Sequence, residues 1–372
     1  MGGQTVQTVL GPVNREDLGI TLPHEHVLHN LVGSAGSAEE KAKQSTTVAA
    51  AIARFSPAER DRRAELWNQP ISMSNLGDVR RNYQFYAEAL RITDIDEVVE
   101  DALLFKDLGG GCIVDGTVLG MGPSPQGLVE VSRRSGVHIV ASAGYYLYPY
   151  LPPDVVALSE DELFDRLLCE LSDESESGVR AGALGEIGLS GPVHPVEEKM
   201  LRAAARVQAE TGVGLAVHPG PGLDGALQAV EIVEKAGGDI GRTAILHVEH
   251  RLVEAPSPGS FDTGPFLRLA ATGCYLSFDL FGREESYRQL GQADLPNDAV
   301  RVNHLRVLVD AGYGDRLLLS HDLTLRWQLS RYGGYGFRHI PDSVVRLMQL
   351  KGLGQELIDQ FLVENPGRWL IG

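Results

Sequence analysis

Short apolar segments recur along the chain, and most are followed by a longer segment whose apolar residues have helical spacing. In 95–108, for example, Ile95, Val98, Ala102 and Phe105 share one helical face, and the segment ends at three successive glycines. The pattern predicts eight strands, each followed by a helix. The predicted strands are 18–22 with the histidines that follow it, 112–118, 138–145, 181–187, 214–218, 243–248, 274–279 and 316–320.

Alternating strands and helices predict a parallel sheet, and eight such units favour a closed (β/α)8 barrel of the TIM type. A doubly wound open sheet is the competing α/β fold, but it usually has a glycine-rich phosphate loop after its first strand. This chain has Pro23-His24-Glu25-His26 there. We therefore expect a single barrel domain over residues 1–372.

Residues 28–92 interrupt the alternation, because they are rich in Ala, Ser and Arg and contain no strong strand pattern. Ser56-Pro57-Ala58-Glu59 is typical of a helix start, with Ser as N-cap, Pro at the first position and Glu at the third. A second capping box begins at Ser159. We expect 28–92 to be a helical insertion after the first strand, and 342–350 and 355–364 to be additional C-terminal helices.

Composition narrows the classes of partner. The net charge of −17 argues against binding to nucleic acid or to an anionic membrane surface, and a small-molecule substrate is expected instead. Three scattered cysteines and a start without a secretory signal pattern favour a reducing, cytoplasmic location. No apolar segment approaches the roughly 20 residues needed to span a bilayer.

Candidate chemistry lies at the strand ends. In (β/α)8 barrels the carboxyl ends of the strands form the active site, so polar residues at these ends are expected to lie close together. The first strand is followed by two histidines that share a face, and other strands end in further imidazoles and carboxylates. The six residues concerned are His24, His26, Glu186, His218, His247 and Asp322.

Any one of these residues alone has an ordinary structural explanation, such as a hydrogen-bonded core histidine or a helix cap. Six polar side chains at one barrel mouth need a shared partner, because uncompensated burial costs several kcal/mol for each group. A metal centre provides that partner. Six ligands exceed the about three that one catalytic zinc takes, and they suit two ions with a bridging carboxylate and a bridging hydroxide.

The order of these residues resembles the phosphotriesterase family of the amidohydrolase superfamily. Leu22-Pro23-His24-Glu25-His26 is similar to its N-terminal pattern, and Gly116-Thr117-Val118-Leu119-Gly120 to its second-strand loop. The segments 71–76 and 332–340 resemble the phosphotriesterase-related branch. The resemblance covers essentially the whole chain.

The resemblance implies that His24, His26 and Asp322 hold a buried metal ion and that His218 and His247 hold a more exposed one. Glu186 would bridge the two ions, where the organophosphate hydrolases and many lactonases of the family use a carbamylated lysine. Two divalent cations are implied, with Zn²⁺ expected first and Mn²⁺, Co²⁺ or Fe²⁺ as alternatives. A second departure is Glu249, where the family commonly has an aspartate. Members are often dimers, so a homodimer is a possible assembly.

The leading functional hypothesis is a binuclear metal hydrolase that cleaves a carboxylic ester, lactone or amide, with Asp322 also accepting the proton of the attacking hydroxide. Phosphoester or phosphotriester hydrolysis is one alternative, and a catalytically idle metal-bound binding protein is another. The candidate substrate contacts are Tyr146, His250, Arg251 and His339. The remaining histidines are expected to be structural or surface residues: His29, His138, His194, His304 and His321.

Overall fold

The central feature of the computed structural model is an eight-stranded parallel sheet. The structure describes residues 4–32, 56–173, 175–252, 262–284 and 295–371. Its strands are β1 Thr5–Thr8, β2 Gly11–Asn14, β3 Ile20–Glu25, β4 His29–Asn30, β5 Arg91–Ile92, β6 Gly110–Asp115, β7 His138–Ala143, β8 Ala183–Gly188, β9 Leu215–His218, β10 Thr243–Ile245, β11 Tyr275–Phe278 and β12 Leu317–Leu319.

The sheet runs in the order β3, β6, β7, β8, β9, β10, β11, β12, so neighbours in the sequence of barrel strands are neighbours in space. Its first and last strands are joined where the Asp322 amide donates to the His24 carbonyl at 3.2 Å. The predicted (β/α)8 fold is therefore confirmed.

Helices alternate with the strands of the sheet, and further helices lie in the insertion and after the last strand. They are α1 Pro57–Leu66, α2 Leu76–Asn82, α3 Ile95–Lys106, α4 Pro125–Ser135, α5 Pro153–Val156, α6 Glu160–Glu170, α7 Pro195–Thr211, α8 Gly222–Lys235, α9 Val248–Arg251, α10 Gly264–Ala270, α11 Asp298–Asp310, α12 Val345–Leu350, α13 Gln355–Asp359 and α14 Asn365–Leu370. Wider π-helical turns at Ile340–Val344 and Gln360–Glu364 lead into α12 and α14.

An apolar layer lies against each face of the sheet. Ile113, Leu215 and Val217 pack in the layer that includes the surrounding helices. Their strand neighbours Cys112 and Ala216 belong to a smaller cluster, which also includes Trp369 of α14. This second cluster fills the barrel interior, so successive residues of a regular strand alternate between the interior and the helices.

The described part of the insertion contains α1 and α2, and both predicted capping boxes are present. The Ser56 hydroxyl accepts from the Glu59 amide at 3.3 Å, and the Ser159 hydroxyl accepts from the Glu162 amide at the same distance. A feature not expected from the sequence is the antiparallel pair β4–β5, which joins the two ends of the insertion. Residues 33–55 of the predicted insertion lie outside the described residues.

The insertion packs against the loop that follows β12. Val79 and Tyr86 share an apolar cluster with Leu325 and Trp327 of that loop. The Arg326 guanidinium from the same loop bonds Glu88 at 2.8 Å. Among the residues that the structure describes, no helix combines the length and the apolar character needed to cross a membrane.

Candidate metal centre

The six predicted ligands come together at the carboxyl ends of their strands. His24 and His26 lie side by side, with ring centroids 5.2 Å apart. Nε2 of His26 lies 3.2 Å from Oδ1 of Asp322, and Nε2 of His24 lies 3.6 Å from the same oxygen. These three residues form one group of potential ligand atoms that lie within 4.8 Å of one another.

Glu186 lies between this group and the other two histidines. Its Oε1 is 3.7 Å from Nε2 of His26. Its Oε2 is 3.2 Å from Nδ1 of His218 and 3.5 Å from Nε2 of His247. Oε2 also lies 3.8 Å from Nε2 of His24, so one carboxylate reaches imidazoles of both groups, as a bridging ligand must.

Two of the strands reach this site through β-bulges. In β3, Leu22 pairs with Ile113 and Glu25 with Asp115, so two residues of β3 stand opposite one residue of β6. Leu22 faces the helices, and regular alternation would turn His24 and His26 the same way. The extra residue shifts the alternation and turns both histidines toward the interior. Pro23 lies within this bulge, where a missing amide donor is tolerated.

Strand β8 uses the same device. Leu184 pairs with Leu215 and Ile187 with Val217, so Gly185 and Glu186 together stand opposite Ala216. Gly185 has a φ of +104°, and a Cβ there would lie 2.1 Å from the Ala216 carbonyl oxygen. Only glycine fits, and the bulge that it permits turns Glu186 inward.

The ligands after β10 and β12 depend on left-handed backbone instead. His247 has a φ of 55° and Asp322 a φ of 49°, and within the described ranges they are the two non-glycine residues with positive φ. The predicted strand 243–248 was too long for this reason, since β10 ends at Ile245 and the chain turns at His247 into α9. Sparsely populated backbone conformations of this kind are concentrated at functional sites.

Further polar groups orient the ligand histidines. Nδ1 of His247 is 2.9 Å from Oδ1 of Asp279, which also accepts from the His247 amide at 3.0 Å. Nδ1 of His26 is 3.1 Å from the Thr117 hydroxyl, which donates to Asp115 at 2.9 Å. In both histidines Nε2 is then the nitrogen directed into the site, as expected for a ligand whose other nitrogen is held by a second group.

Arg283 contacts the Asp322 carboxylate at Oδ2, the oxygen that does not face His24 and His26. Its Nη1 lies 3.2 Å from Oδ2 of Asp322, and its Nη2 donates to the Asp322 carbonyl oxygen. The Arg283 carbonyl accepts from Nη2 of the fully buried Arg301 at 2.6 Å. Arg301 is held by Asp298 at 2.6 Å and lies 3.6 Å from Glu249, whose carboxylate also accepts from a backbone amide of this loop.

Electrostatics keep both carboxylates of the centre ionised. Burial raises the pKa of Glu186, but the hydrogen bond and charge of His218, with His247, outweigh it and hold this pKa well below its usual value. Burial likewise raises the pKa of Asp322, but Arg283 and the histidines overcome it. Burial lowers the pKa of His247, whereas Asp279 and Glu186 raise it to about 10. The centre therefore strongly favours positive charge.

The donor set fits divalent cations. Nε2 of His24 and Nε2 of His26 are buried, and among the described residues neither has a hydrogen-bond partner. A buried nitrogen without a partner is costly unless it binds something. Imidazole nitrogens and carboxylate oxygens are ligands that suit zinc and related divalent ions.

The predicted substrate contacts are placed differently from one another. The ring of Tyr146 lies edge-on to His218, 5.7 Å between centroids, which puts it beside the centre. His250 lies in α9, one turn beyond His247. The Arg251 side chain lies outside the described residues. Nε2 of His339 is 2.7 Å from Asp298, so this histidine is part of the Arg301 network.

Three residues at the centre were not singled out from the sequence. Asp279 stands at the end of a predicted strand, like the six candidates, and the same criterion would have found it. Arg283 lies four residues further on in a loop, where no local pattern marks it. Glu25 stands between the two histidines of β3, where the sequence pattern assigns it no role. His321, which was expected to be structural or on the surface, is fully buried and bonds Glu25 at 2.7 Å.

Comparison with known proteins agrees with this geometry. The model of the phosphotriesterase family matches residues 4–370. An N-acetyltaurine hydrolase of Rattus norvegicus is 34% identical over 371 residues, 98% of this chain and 97% of that protein. A phosphotriesterase-related protein of Nematostella vectensis is 33% identical over 368 residues, with the same shares covered.

A solved structure extends the likeness to three dimensions. The resiniferatoxin-binding protein of Rhodobacter sphaeroides has a TM-score of 0.86 and 30% identity, with 99% of this chain and 95% of that chain covered. Sequence and structure therefore agree along the full length of the chain, which belongs to the phosphotriesterase family and is one of its hydrolases.

Proposed function

We propose that this hydrolase uses two divalent metal ions and cleaves a carboxylic amide, with esters and lactones as further substrates of the same carbonyl chemistry. The observation that carries the proposal is the position of Glu186 between the two histidine groups. The choice of an amide is supported by the full-length similarity to N-acetyltaurine hydrolases.

In this proposal His24, His26 and Asp322 would hold one ion and His218 and His247 the other, with Glu186 as the carboxylate shared between them. Zn²⁺ is the first candidate, with Mn²⁺, Co²⁺ and Fe²⁺ as alternatives. When bound, two such ions would polarise the substrate carbonyl and lower the pKa of water from about 15.7 toward neutrality.

The chain's own groups then perform the remaining tasks. Oδ1 of Asp322 faces His24 and His26, whereas Oδ2 faces Arg283. Asp322 would accept the proton of the attacking water and deliver it to the amide nitrogen as the C–N bond breaks, so that a carboxylate and an amine leave as products. Tyr146, beside His218, is placed to donate a hydrogen bond to the substrate carbonyl oxygen. His250, Arg251 and His339 remain candidates for contacts further from the reacting carbon.

An anionic substrate needs a local positive charge in a chain that is negative overall. The chain carries a net charge of −17, which disfavours anions, yet N-acetyltaurine is an amide whose amine portion ends in a sulfonate. Arg283 is a buried cation in direct contact with Asp322. A guanidinium has five N–H donors in a planar fork, so it can hold Asp322 and a substrate anion together. We propose an N-acyl amine with a nearby sulfonate or carboxylate as the substrate class.

The test is a panel of substrates on metal-reconstituted protein: N-acetyltaurine, other N-acyl amino acids, neutral amides, lactones, aryl esters and aryl phosphotriesters. We expect turnover of anionic N-acyl compounds at the highest kcat/KM. Turnover of phosphotriesters alone would favour the phosphoester alternative. Two bound metal ions without turnover of any class would favour the binding-protein alternative.

The bridging role of Glu186 has a direct test. Glu186→Ala should lower metal content, measured by inductively coupled plasma mass spectrometry, together with activity. Full metal content and full activity in this variant would remove Glu186 from the bridge.

The role of Arg283 has a separate test that compares two substrates. Arg283→Lys keeps the charge but loses the planar fork. We expect kcat/KM for N-acetyltaurine to fall about 10- to 150-fold more than kcat/KM for a neutral amide of the same acyl group. This factor corresponds to about 1.5–3 kcal/mol, the value of hydrogen bonds to a charged group. An equal loss on both substrates would show that Arg283 acts only through Asp322.

A further inference from the structure

Glu25, between the two histidines of β3, is fully buried. Its carboxylate accepts hydrogen bonds from the segment that follows β12, the last strand of the barrel. Oε1 of Glu25 accepts from the Ser320 hydroxyl at 2.7 Å, from the His321 amide at 2.8 Å and from Nδ1 of His321 at 2.7 Å. Oε2 accepts from the Leu323 amide at 2.9 Å. Four donors from one segment after β12 thus converge on a single side chain.

These bonds enclose Asp322. The amides immediately before and after it, those of His321 and Leu323, donate to different oxygens of Glu25. The Asp322 amide between them donates to the His24 carbonyl at 3.2 Å. Three successive amides therefore bond to two successive residues of β3. This arrangement holds Asp322 in its left-handed backbone conformation, with a φ of 49°.

His321 extends the support outward. Its Nδ1 lies against the Glu25 carboxylate, and its Nε2 accepts from the Ile340 amide at 3.2 Å. Both ring nitrogens are thus occupied in one tautomer, with the proton on Nδ1. The segment around Asp322 is held between Glu25 on one side and the C-terminal helices on the other.

We infer that Glu25 is a positioning residue, which holds Asp322 so that its Oδ1 faces the metal site formed with His24 and His26. This inference rests on the proposed function, because it takes Asp322 as a ligand. It assigns a task to the central residue of the His-x-His pattern. Its neighbours bind from the interior face, while Glu25 fixes the third ligand of the same ion from the other face.

The chemistry of Glu25→Gln makes the inference testable. A carboxylate accepts at both oxygens, whereas an amide group accepts at one end and donates at the other. Glutamine would therefore place an NH₂ group against the Leu323 amide or against the donors of Ser320 and His321. The variant keeps the size of the side chain and removes one side of the support.

The experiment measures metal affinity by chelator competition on the full-length protein, with kcat and KM on the best substrate as a second measurement. We expect Glu25→Gln to lower the affinity for one of the two ions by about 10- to 100-fold. It should also lower kcat while KM changes little. Unchanged affinity for both ions would overturn the inference.

Glu197→Gln is the matched control. Glu197 is also fully buried and accepts from the Tyr148, Ser190 and His194 amides, at 3.0, 2.8 and 3.1 Å, but it supports loops that carry none of the six ligands. It should keep wild-type affinity for both ions. Equal loss in both variants would reduce Glu25 to a general structural role and overturn the inference.

A double-mutant comparison shows whether Glu25 acts through Asp322. The loss of affinity on Glu25→Gln should largely disappear when Asp322 is already replaced by alanine, because coupled residues are not additive. Full additivity would overturn the inference. If Glu25→Gln does not fold, Ser320→Ala provides a milder test, with a smaller loss at the same ion expected and no loss contradicting the inference.

A wild-type protein that binds no metal would refute the proposed function itself. That result is distinct from wild-type binding that Glu25→Gln leaves unchanged.

Discussion

His218 and Glu186 lie on neighbouring strands and reach the same site by different routes. His218 continues the regular alternation of β9, in which Val217 packs toward the helices. Glu186 would face the helices if β8 were regular, and it reaches the interior through the bulge at Gly185. The histidines of β3, and the residues with positive φ after β10 and β12, also depend on irregular backbone. Where the backbone is irregular, other groups hold the candidate ligands: Asp279 contacts His247, and Thr117 contacts His26.

Gly185→Ala should break this contrast most strongly. A Cβ would meet the Ala216 carbonyl oxygen at 2.1 Å, in a backbone with a φ of +104°. We expect a loss of roughly 2–5 kcal/mol in the free energy of unfolding, measured by urea denaturation of the metal-free protein. Gly237→Ala is the control, since its φ is +85° but its Cβ would meet nothing within 4 Å, and it should cost about 1–2 kcal/mol. Equal losses would contradict the steric account.

Asp279→Asn should have the next largest effect. Asp279 holds both the ring and the amide of His247, at 2.9 and 3.0 Å. We expect the affinity of the ion on the His218–His247 side to fall by about 10- to 100-fold, measured by chelator competition. Asp101→Asn is a control of the same chemistry, because Asp101 is buried and bonds Ser330 away from the ligands. Loss in the control as well would refute a specific role.

Thr117→Val should have a smaller effect on the opposite side of the centre. The change keeps the shape of the side chain but removes the hydroxyl that contacts Nδ1 of His26 at 3.1 Å. We expect about tenfold weaker binding of the ion on the His24–His26 side. Thr21→Val, at a buried threonine of β3 whose hydroxyl donates to the Gly19 carbonyl oxygen, should leave affinity unchanged. An unaffected Thr117→Val would show that the bulge alone orients His26.

Tyr146→Phe should have the smallest effect. If the Tyr146 hydroxyl donates to the substrate carbonyl oxygen, its removal should lower kcat by about 1 kcal/mol, or roughly fivefold, without loss of metal. Tyr150→Phe is the control and should leave kcat unchanged. Its ring packs beside that of Tyr146, with 5.2 Å between the ring centroids. A tenfold loss of metal affinity in Tyr146→Phe would instead show that the tyrosine supports His218.

Much of this molecule could be predicted from the chain. Strand and helix periodicities are local properties, so they identified eight units and the barrel, and the rule that barrel sites lie at strand ends identified the six residues that meet. The capping boxes at Ser56 and Ser159 were also correct, because both partners lie within four residues.

Other features depend on contacts between distant residues and could not be predicted. The bulges of β3 and β8 are defined against β6 and β9, and they decide which face His24, His26 and Glu186 occupy. Arg283 reaches Asp322 across 39 residues of sequence, and Glu25 reaches His321 across 296. The sequence by itself determined which donors gather at the mouth, because spacing and strand order are local. Only the tertiary structure decided how each donor is aimed, because register and buried hydrogen bonds exist only once the barrel is closed.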